Sequence, residues 1–205
     1  MTNHLTIYNP LLMKTVLIAA VALLAVLTVV VGCRTSRSAY ATAPFKRVRS
    51  SGKFELRDYP KLTLVETPMT DANGNSGFGR LFRYITGRNE GAQKIAMTTP
   101  VFMSGDENHP AMAFVMPAEL KTDQVPKPTD KSIVVREVPA DRFAVLRFSG
   151  GRNAKNEAEA LAQLKTWMAA EGLSVLSPPV FAYFDPPWTP SFLRRNEVML
   201  RTRPT

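Results

Sequence analysis

The sequence predicts an α+β domain in which one arrangement of strands and a helix occurs twice. Two segments recur at an offset of 79 residues, with unrelated sequence between them. They are Arg57-Asp58-Tyr59-Pro60, repeated as Arg136-Glu137-Val138-Pro139, and Pro100-Val101-Phe102, repeated as Pro179-Val180-Phe181. Each copy can be divided in the same order, into two extended runs, one helix and two further extended runs. We therefore expect a duplicated βαββ-type repeat that forms a distorted eight-stranded antiparallel barrel with two helices.

The extended runs alternate apolar and polar residues, which is typical of half-buried strands. In the first copy they are FELRDYP, KLTLVET, KIAMTTPVFM and AMAFVMP. In the second copy they are SIVVREVP, RFAVLRFSG, PVFAYF and NEVMLRT. The chain contains 16 prolines, which favour short strands and frequent loops over long helices.

An apolar stripe with helical spacing marks each of the two helices. The first stripe, at i, i+3, i+4 and i+7, consists of Phe78, Leu81, Phe82 and Ile85. Asn75 or Ser76 can cap the start of this helix, and Gly87 can end it. The second stripe consists of Leu161, Leu164 and Met168. Asn156 and Glu159 resemble a capping box at the start of the second helix.

Composition limits the class of protein. The chain has 205 residues, 45% hydrophobic and 21% charged, which indicates a globular protein of one or two domains. One cysteine and two histidines exclude an intramolecular disulfide and a zinc site built from cysteine and histidine. The formal net charge is +9, but the basic residues are scattered and form no aromatic-studded groove. We therefore expect no nucleic-acid partner.

An apolar run extends from Val16 to Val31, and Thr28 is its only polar residue. Lys14 precedes the run, and the four residues VVGC that end at Cys33 resemble a bacterial lipobox. We therefore expect residues 1–33 to be a signal peptide whose processing leaves Cys33 lipidated. The acyl chains would bind membrane lipid, and the protein would be a membrane-anchored periplasmic lipoprotein.

An uncleaved membrane anchor is the alternative, and it stays open. Arg34, Arg37 and three further basic residues before position 50 follow the apolar run. The positive-inside rule would then hold the C-terminal part in the cytoplasm, as in a single-pass inner-membrane protein. Residues 34–51 are small, polar and basic, which predicts a flexible basic tether. The globular domain is then expected over residues 52–205.

The sequence favours a binding protein over an enzyme. His109 is the one histidine downstream of the apolar run, and a histidine in a polar loop such as SGDENHP is usually solvated. The acidic residues that could act in pairs also lie in polar loops. The chain has no Gly-rich phosphate loop, no HExxH motif and no zinc-ligand spacing. We therefore expect no catalytic residues.

Several segments resemble the SOUL haem-binding family. They are KIAMTTPVFM, MAFVMP, RYITGRNE and the tail YFDPPWTPSFLRRNEVMLRT, and the similarity extends from about Phe54 to Thr202. The resemblance implies the same distorted barrel that the repeat predicts. It also implies a groove beside the first helix that binds haem or a related tetrapyrrole without turning it over. Basic side chains are then expected near the propionates.

The resemblance also implies which residues contact the tetrapyrrole. The family's basic residue before a tyrosine of the first helix matches Arg83 before Tyr84, and Arg80 lies one turn earlier. An arginine suits a propionate because its planar guanidinium can hold both carboxylate oxygens. Met97 could supply a thioether, and His109 is a weak candidate for a metal ligand. We therefore expect axial ligation of the iron to be weak or absent.

Two other functions remain as alternatives. The duplicated fold also occurs in ligand-sensing units of bacterial regulators, which suggests a small-molecule effector-binding or interaction module. A buried acidic residue inside a core pocket would favour that function, whereas a basic rim favours haem. An enzyme that acts on the tetrapyrrole, for instance by removing its metal, is disfavoured by the shortage of acid and base groups.

Overall fold

The computed structural model describes residues 10–38, 40–70, 75–104 and 110–203. The chain divides into two compact units, one ending at Ala39 and one beginning at Tyr40. The first unit contains helix α1, Pro10–Ser38. The second unit contains helices α2, Asn75–Ile85, and α3, Ala154–Ala170, together with all of the described strands.

Helix α1 is apolar along most of its length. Its described large apolar side chains are exposed, among them Leu17, Ile18 and Leu23. Cys33 lies in the last part of this helix. Among the described residues, no helix has both the length and the apolar character that crossing a membrane requires. The signal peptide or anchor over residues 1–33 and the lipidation of Cys33 remain predictions.

Eleven strands are described in the second unit. The first six are β1 (Ala41–Thr42), β2 (Lys46–Ser51), β3 (Phe54–Tyr59), β4 (Leu62–Pro68), β5 (Thr98–Thr99) and β6 (Val101–Ser104). The other five are β7 (Ala111–Val115), β8 (Val134–Val138), β9 (Asp141–Phe148), β10 (Val180–Tyr183) and β11 (Asn196–Arg201). Strands β1 and β5 pair with each other in parallel, and the remaining nine strands form one sheet.

The nine-stranded sheet has the order β2-β3-β9-β11-β10-β6-β7-β4-β8, and each neighbouring pair is antiparallel. Strands β2 and β8 are its edges and do not pair with each other in the described chain, so the sheet is not closed. The predicted α+β class is confirmed. The eight-stranded barrel with two helices is wrong, because the described chain has a ninth sheet strand and a third helix, and barrel closure requires paired edges.

The strand order is symmetric once β2 is set aside. Strands β3, β4, β6 and β7 of the first half correspond to β8, β9, β10 and β11 of the second half. Exchanging each strand for its counterpart and reversing the order gives the same order again. The segments that recur at an offset of 79 residues lie at equivalent places, at the ends of β3 and β8 and at the starts of β6 and β10. Two copies of one element order would produce this arrangement, and the duplication itself remains a prediction.

The sheet has two faces, and successive side chains on a strand alternate between them. On the outer face, α2 packs against β4 and β7 while α3 packs against β9 and β11. The cluster below α2 includes Val65, Leu81, Tyr84 and Phe114, and the cluster below α3 includes Leu146, Leu164 and Met168. The inner face carries a third cluster, which includes Tyr59, Phe102, Phe184 and Met199.

The segment from Tyr40 to Ser51 is part of the second unit. The amide of Ala43 donates to the carbonyl oxygen of Thr99 over 2.9 Å, and the ring centroid of Phe45 lies 5.5 Å from that of Tyr59. Strand β2 pairs with β3. The structure therefore differs from the flexible tether predicted over residues 34–51 and from the domain start predicted at residue 52. The reason is that β2 is exposed along its whole length and carries no apolar alternation.

Helix α3 begins one turn before the cap that the sequence suggests. The side chain of Asn153 accepts a hydrogen bond from the amide of Asn156 over 2.9 Å and caps the helix. Asn156 lies inside the first turn, and its side chain donates to the carbonyl oxygen of Gly151 over 2.8 Å. Asn153 has Asn156 rather than a glutamate or glutamine at the third position after it, so the capping-box pattern favoured the wrong asparagine.

Candidate functional site

The buried face of α2 overlaps only in part with the predicted apolar stripe, of which Leu81 and Ile85 are buried. Its buried residues are Gly77, Leu81, Tyr84 and Ile85. The hydroxyl of Tyr84 donates to the carbonyl oxygen of Pro126 over 2.6 Å, and burial raises the pKa of Tyr84 to about 12. Tyr84 is therefore a neutral core residue that ties α2 to a distant loop. Although the family resemblance suggested a ligand contact, the side chain of Tyr84 has no exposed surface for one.

Two phenylalanines of the predicted core stripe lie on the outside of α2. Phe78 is 40% exposed and Phe82 is 46% exposed. Their rings stack with centroids 5.9 Å apart and planes inclined by 14°. The pair packs on the hydrophobic core, because the ring of Phe78 makes an edge-to-face contact with the buried ring of Phe114, with centroids 5.4 Å apart. An exposed, stacked aromatic pair on a single helix is a flat apolar surface.

The two arginines of α2 differ in their surroundings: Arg80 is hydrogen-bonded to the end of β4, whereas Arg83 is exposed to solvent. Arg80 donates from Nε to Thr67 Oγ1 over 3.0 Å and from Nη2 to the carbonyl oxygen of Pro68, so it holds the end of β4. Arg83 is exposed. Its Nη1 lies beside Gly79, one turn earlier, 3.5 Å from where a Cβ of that residue would be. We call the exposed sides of Phe78, Gly79, Phe82 and Arg83 the α2 surface.

The positive potential of these arginines reaches the loop after β7. Asp130 accepts hydrogen bonds from the side chain and the amide of Ser132, and these contacts lower the pKa of its carboxyl group. The charges of Arg80 and Arg83 lower that pKa further. The outside of α2 therefore carries positive charge that reaches a carboxylate of the protein.

Met97 lies close to α2 but is largely occupied with packing. It is partly buried and packs against the cluster below α2. The amide of Ile95 donates to the carbonyl oxygen of Ile85 over 2.8 Å, which brings this segment beside the C-terminal end of the helix. Met97 is thus an apolar side chain that packs below α2, and its proposed contact with a tetrapyrrole remains a prediction.

The metal-ligand candidates receive no support from the described part of the chain. His109 lies outside the described residues. Within the described ranges, no three histidine, cysteine, aspartate or glutamate side chains are grouped closely enough to hold a metal ion. The role of His109 remains a prediction.

The polar residues of the tail motif, around β11, make structural contacts. The carboxylate of Glu197 accepts hydrogen bonds from Arg57 and Arg195, and both oxygens are used. The side chain of Asn196 donates to the carbonyl oxygen of Gly150 over 3.0 Å. Asp185 accepts from the amide of Arg195 over 2.6 Å. These residues hold the start of β11 and the loop before it, so their role in this fold is structural.

A family comparison agrees with this architecture. Residues 40–201 match the family model described as SOUL heme-binding protein. The chain belongs to the SOUL family. The match begins at the residue where the second compact unit begins, so it covers the sheet, α2 and α3 and includes β1 and β2.

Two related proteins from other organisms are both named as haem-binding proteins. Heme-binding protein 2 of Homo sapiens is 28% identical over 132 residues, which cover 59% of this chain and 64% of that protein. Heme-binding protein 2 of Mus musculus is 28% identical over 162 residues, which cover 73% of this chain and 78% of that protein. The SOUL-family chain therefore spans just under two thirds of the length of its human relative.

Solved structures share the fold at low sequence identity. The C-terminal domain of EcmrR has a TM-score of 0.57 at 13% identity, covering 74% of this chain and 98% of that chain. A hydrolase from Listeria innocua has a TM-score of 0.54 at 11% identity, covering 76% of this chain and 94% of that chain. At such identities the likeness shows the fold alone.

Proposed function

We propose that this SOUL-family protein binds haem or a related tetrapyrrole on the α2 surface. The observation that carries the proposal is the exposed, stacked pair of Phe78 and Phe82 beside the exposed guanidinium of Arg83. A tetrapyrrole is flat and apolar over its faces and anionic at its propionates. The aromatic pair suits the ring, and the guanidinium suits a carboxylate.

Gly79 supports this placement. It lies between the two phenylalanines and has no side chain to stand between a flat ligand and the helix. Arg80 contributes positive charge from the edge of the site, while its hydrogen bonds to Thr67 and Pro68 keep it in place. Arg83 is therefore the residue that we assign to the propionate. Met97 and Tyr84 are assigned to the packing below the site.

The bound haem would supply an iron centre whose chemistry depends on its axial ligands. The residues described around α2 offer apolar contact and positive charge rather than an imidazole or a thiolate. We therefore assign the protein a binding role, without turnover of the tetrapyrrole and without strong axial ligation. His109 stays the weak candidate for an iron ligand.

The N-terminal region is proposed to attach the haem-binding domain to a membrane. The apolar run that ends before Cys33 supports a lipidated, periplasm-facing lipoprotein, and a single-pass inner-membrane protein is the alternative. Mass spectrometry of the protein from its native membrane separates them. A mature chain that begins with diacylglyceryl-Cys33 supports the lipoprotein. A chain that retains residues 1–32 contradicts it.

A haem titration of the full chain, followed at the Soret band against protein-free blanks, tests the binding proposal. We expect saturable one-to-one binding that Arg83→Glu weakens by roughly tenfold to a hundredfold, the scale of one charge-assisted contact. The matched control is Lys165→Glu, which makes the same charge change at an exposed position on α3. Equal losses in the two variants, or no loss in Arg83→Glu, would overturn the assignment of the propionate.

A further inference from the structure

The inner face of the sheet contains a cavity that lies away from α2. Its volume is about 350 Å³, at the lower end of the range for small-molecule sites. Apolar side chains from six strands line most of it: Leu64, Phe102, Ala113, Phe143, Val180 and Met199. We call this space the inner cavity. Because α2 and α3 both cover the outer face, the inner cavity and the α2 surface lie on opposite sides of the sheet.

Two ion pairs line the inner cavity together with the apolar residues. Arg136 on β8 contacts Glu66 on β4, with an N–O distance of 2.7 Å. Arg201 on β11 faces Asp141 on β9 at 3.5 Å. Both guanidinium-bearing side chains are about half exposed, whereas the two carboxylate side chains are about a quarter exposed. The cations are therefore the more accessible members of each pair.

The hydrogen bonds of these groups favour an anionic partner. Asp141 accepts from the amide of Arg142 over 2.8 Å and also faces Arg201, so its carboxylate is already engaged twice. A guanidinium has five donors. Arg201 directs Nη2 to the carbonyl oxygen of Leu176 and Nη1 towards Asp141, and Arg136 directs Nη2 to Glu66. Each arginine keeps donors for a second carboxylate, and the net charge of +9 attracts anions to the chain.

We propose that the inner cavity binds a small amphipathic monocarboxylate, with an unbranched or singly aromatic apolar body. The apolar body fills the space between Phe102, Phe143 and Met199, where it loses contact with water. The carboxylate lies at the mouth and accepts hydrogen bonds from Arg136 and Arg201. This ligand class follows from an apolar interior beside accessible guanidinium groups, and it is independent of the haem proposal because the two sites lie on opposite faces.

Photoaffinity labelling of the full chain tests the proposal. The probe is a decanoate analogue with a diazirine on its alkyl chain, and labelled peptides are identified by mass spectrometry. We expect labels on β6, β9 and β11 that excess decanoate removes and that an equal excess of decylammonium or haem leaves in place. Labels confined to α1 or to α2, or labels that decylammonium removes as well as decanoate does, would overturn the proposal.

Three variants make the test specific. Ser104→Phe places a ring in the cavity from a half-buried position on β6 and should abolish the cavity label. Arg136→Gln should weaken competition by decanoate by about tenfold, since one charge-assisted contact is lost. Lys165→Gln is the matched control with the same change of charge outside the cavity, and it should compete like the parent chain. A Ser104→Phe chain that unfolds cooperatively yet retains the label would also overturn the proposal.

Discussion

Arg57 and Glu197 form a bidentate ion pair that spans a strand. Arg57 lies on β3 and Glu197 on β11, with β9 between them in the sheet. The two hydrogen bonds join Nη1 to Oε2 over 2.7 Å and Nη2 to Oε1 over 3.0 Å. Both side chains are almost completely buried, and Arg57 also stacks over Phe45 at 4.2 Å. The pair joins three strands and the N-terminal segment on the inner face.

Removing one partner of this pair should destabilise the fold strongly. Glu197→Ala leaves the guanidinium of Arg57 buried without its main acceptor, and we expect the free energy of unfolding to fall by about 3–5 kcal/mol. Denaturant unfolding followed by circular dichroism measures it. Lys61→Ala is the control, because it breaks the exposed pair of Lys61 with Glu137, whose N–O distance is 2.8 Å. The control should lose at most about 1 kcal/mol.

The same pair should make the fold sensitive to acid. Burial by itself raises the pKa of Glu197, but the hydrogen bonds and charges of Arg57 and Arg195 outweigh it and leave the pKa below its usual value. A carboxyl group with a lowered folded-state pKa stabilises the fold above its unfolded pKa, about 4.3, and loses that contribution as the pH falls through the folded pKa.

We therefore expect stability to decline below about pH 4.3. The measurement is the free energy of unfolding from pH 7 to pH 3, in the parent chain and in Glu197→Gln. The variant should start from a lower stability and show a shallower decline. Parallel pH profiles would show that Glu197 does not carry the acid response.

The N-terminal segment should be needed for a stable domain. A chain that begins at Gly52 lacks β1 and β2 and exposes the inner-face cluster where Ala43 and Phe45 pack. A chain that begins at Tyr40 keeps them. We expect the shorter chain to unfold at a clearly lower temperature, since each kcal/mol shifts the midpoint of a chain of this size by about 2–4 °C. Calorimetry of both chains checks this, and equal midpoints would restore the tether interpretation.

The aromatic pair of the α2 surface should matter for haem and little for folding. Replacing Phe78 and Phe82 together by serine removes the flat apolar surface, and we expect haem affinity to fall by at least about tenfold, on the scale of stacked aromatic contacts. Phe192→Ser is the matched control, because Phe192 is 73% exposed elsewhere in the chain. Unchanged haem affinity in the double variant would place the ligand elsewhere.

Tyr84→Phe should lower the stability of the fold and leave haem affinity unchanged. The change removes the hydroxyl that donates to Pro126 and leaves the aromatic ring in the core. We expect the free energy of unfolding to fall by about 0.5–1.5 kcal/mol, the net value of one hydrogen bond, and haem affinity to stay at the parental level. The Soret titration and a denaturant curve on one preparation provide both numbers. A selective loss of haem affinity would return Tyr84 to the ligand site.

Local sequence patterns were sufficient to predict α2 and most of the strands. The helical spacing of apolar residues and the asparagine near position 75 predicted α2, which the structure places at Asn75–Ile85. Alternation predicted the strands on both sides of each helix. These features depend on neighbouring residues, so a single sequence contains them.

The rest depends on contacts between distant residues. The apolar side chains of α2 span a wider arc of the helix than its buried face does, so spacing alone does not decide which of them face the sheet. Contacts with Phe114 and Pro126 decide it for Phe78 and Tyr84. The aromatic pair was therefore missed, although a stripe wider than one helix face was a usable signal. Strand β2 was missed because its sequence has no apolar face, and among the described strands it pairs with β3 alone. The buried pair of Arg57 and Glu197 was not predicted, because alternation does not identify a buried charge.

The early start of the fold also limits how far the domain could reach from a membrane. An acylated Cys33 would be followed by only seven residues, 34–40, before β1 begins at Ala41. Even fully extended, seven residues measure at most roughly 25 Å. If the proposed acylation and the proposed haem binding both hold, the domain stays within about one bilayer thickness of the lipid surface, and a partner that exchanges a tetrapyrrole with it has to meet it there.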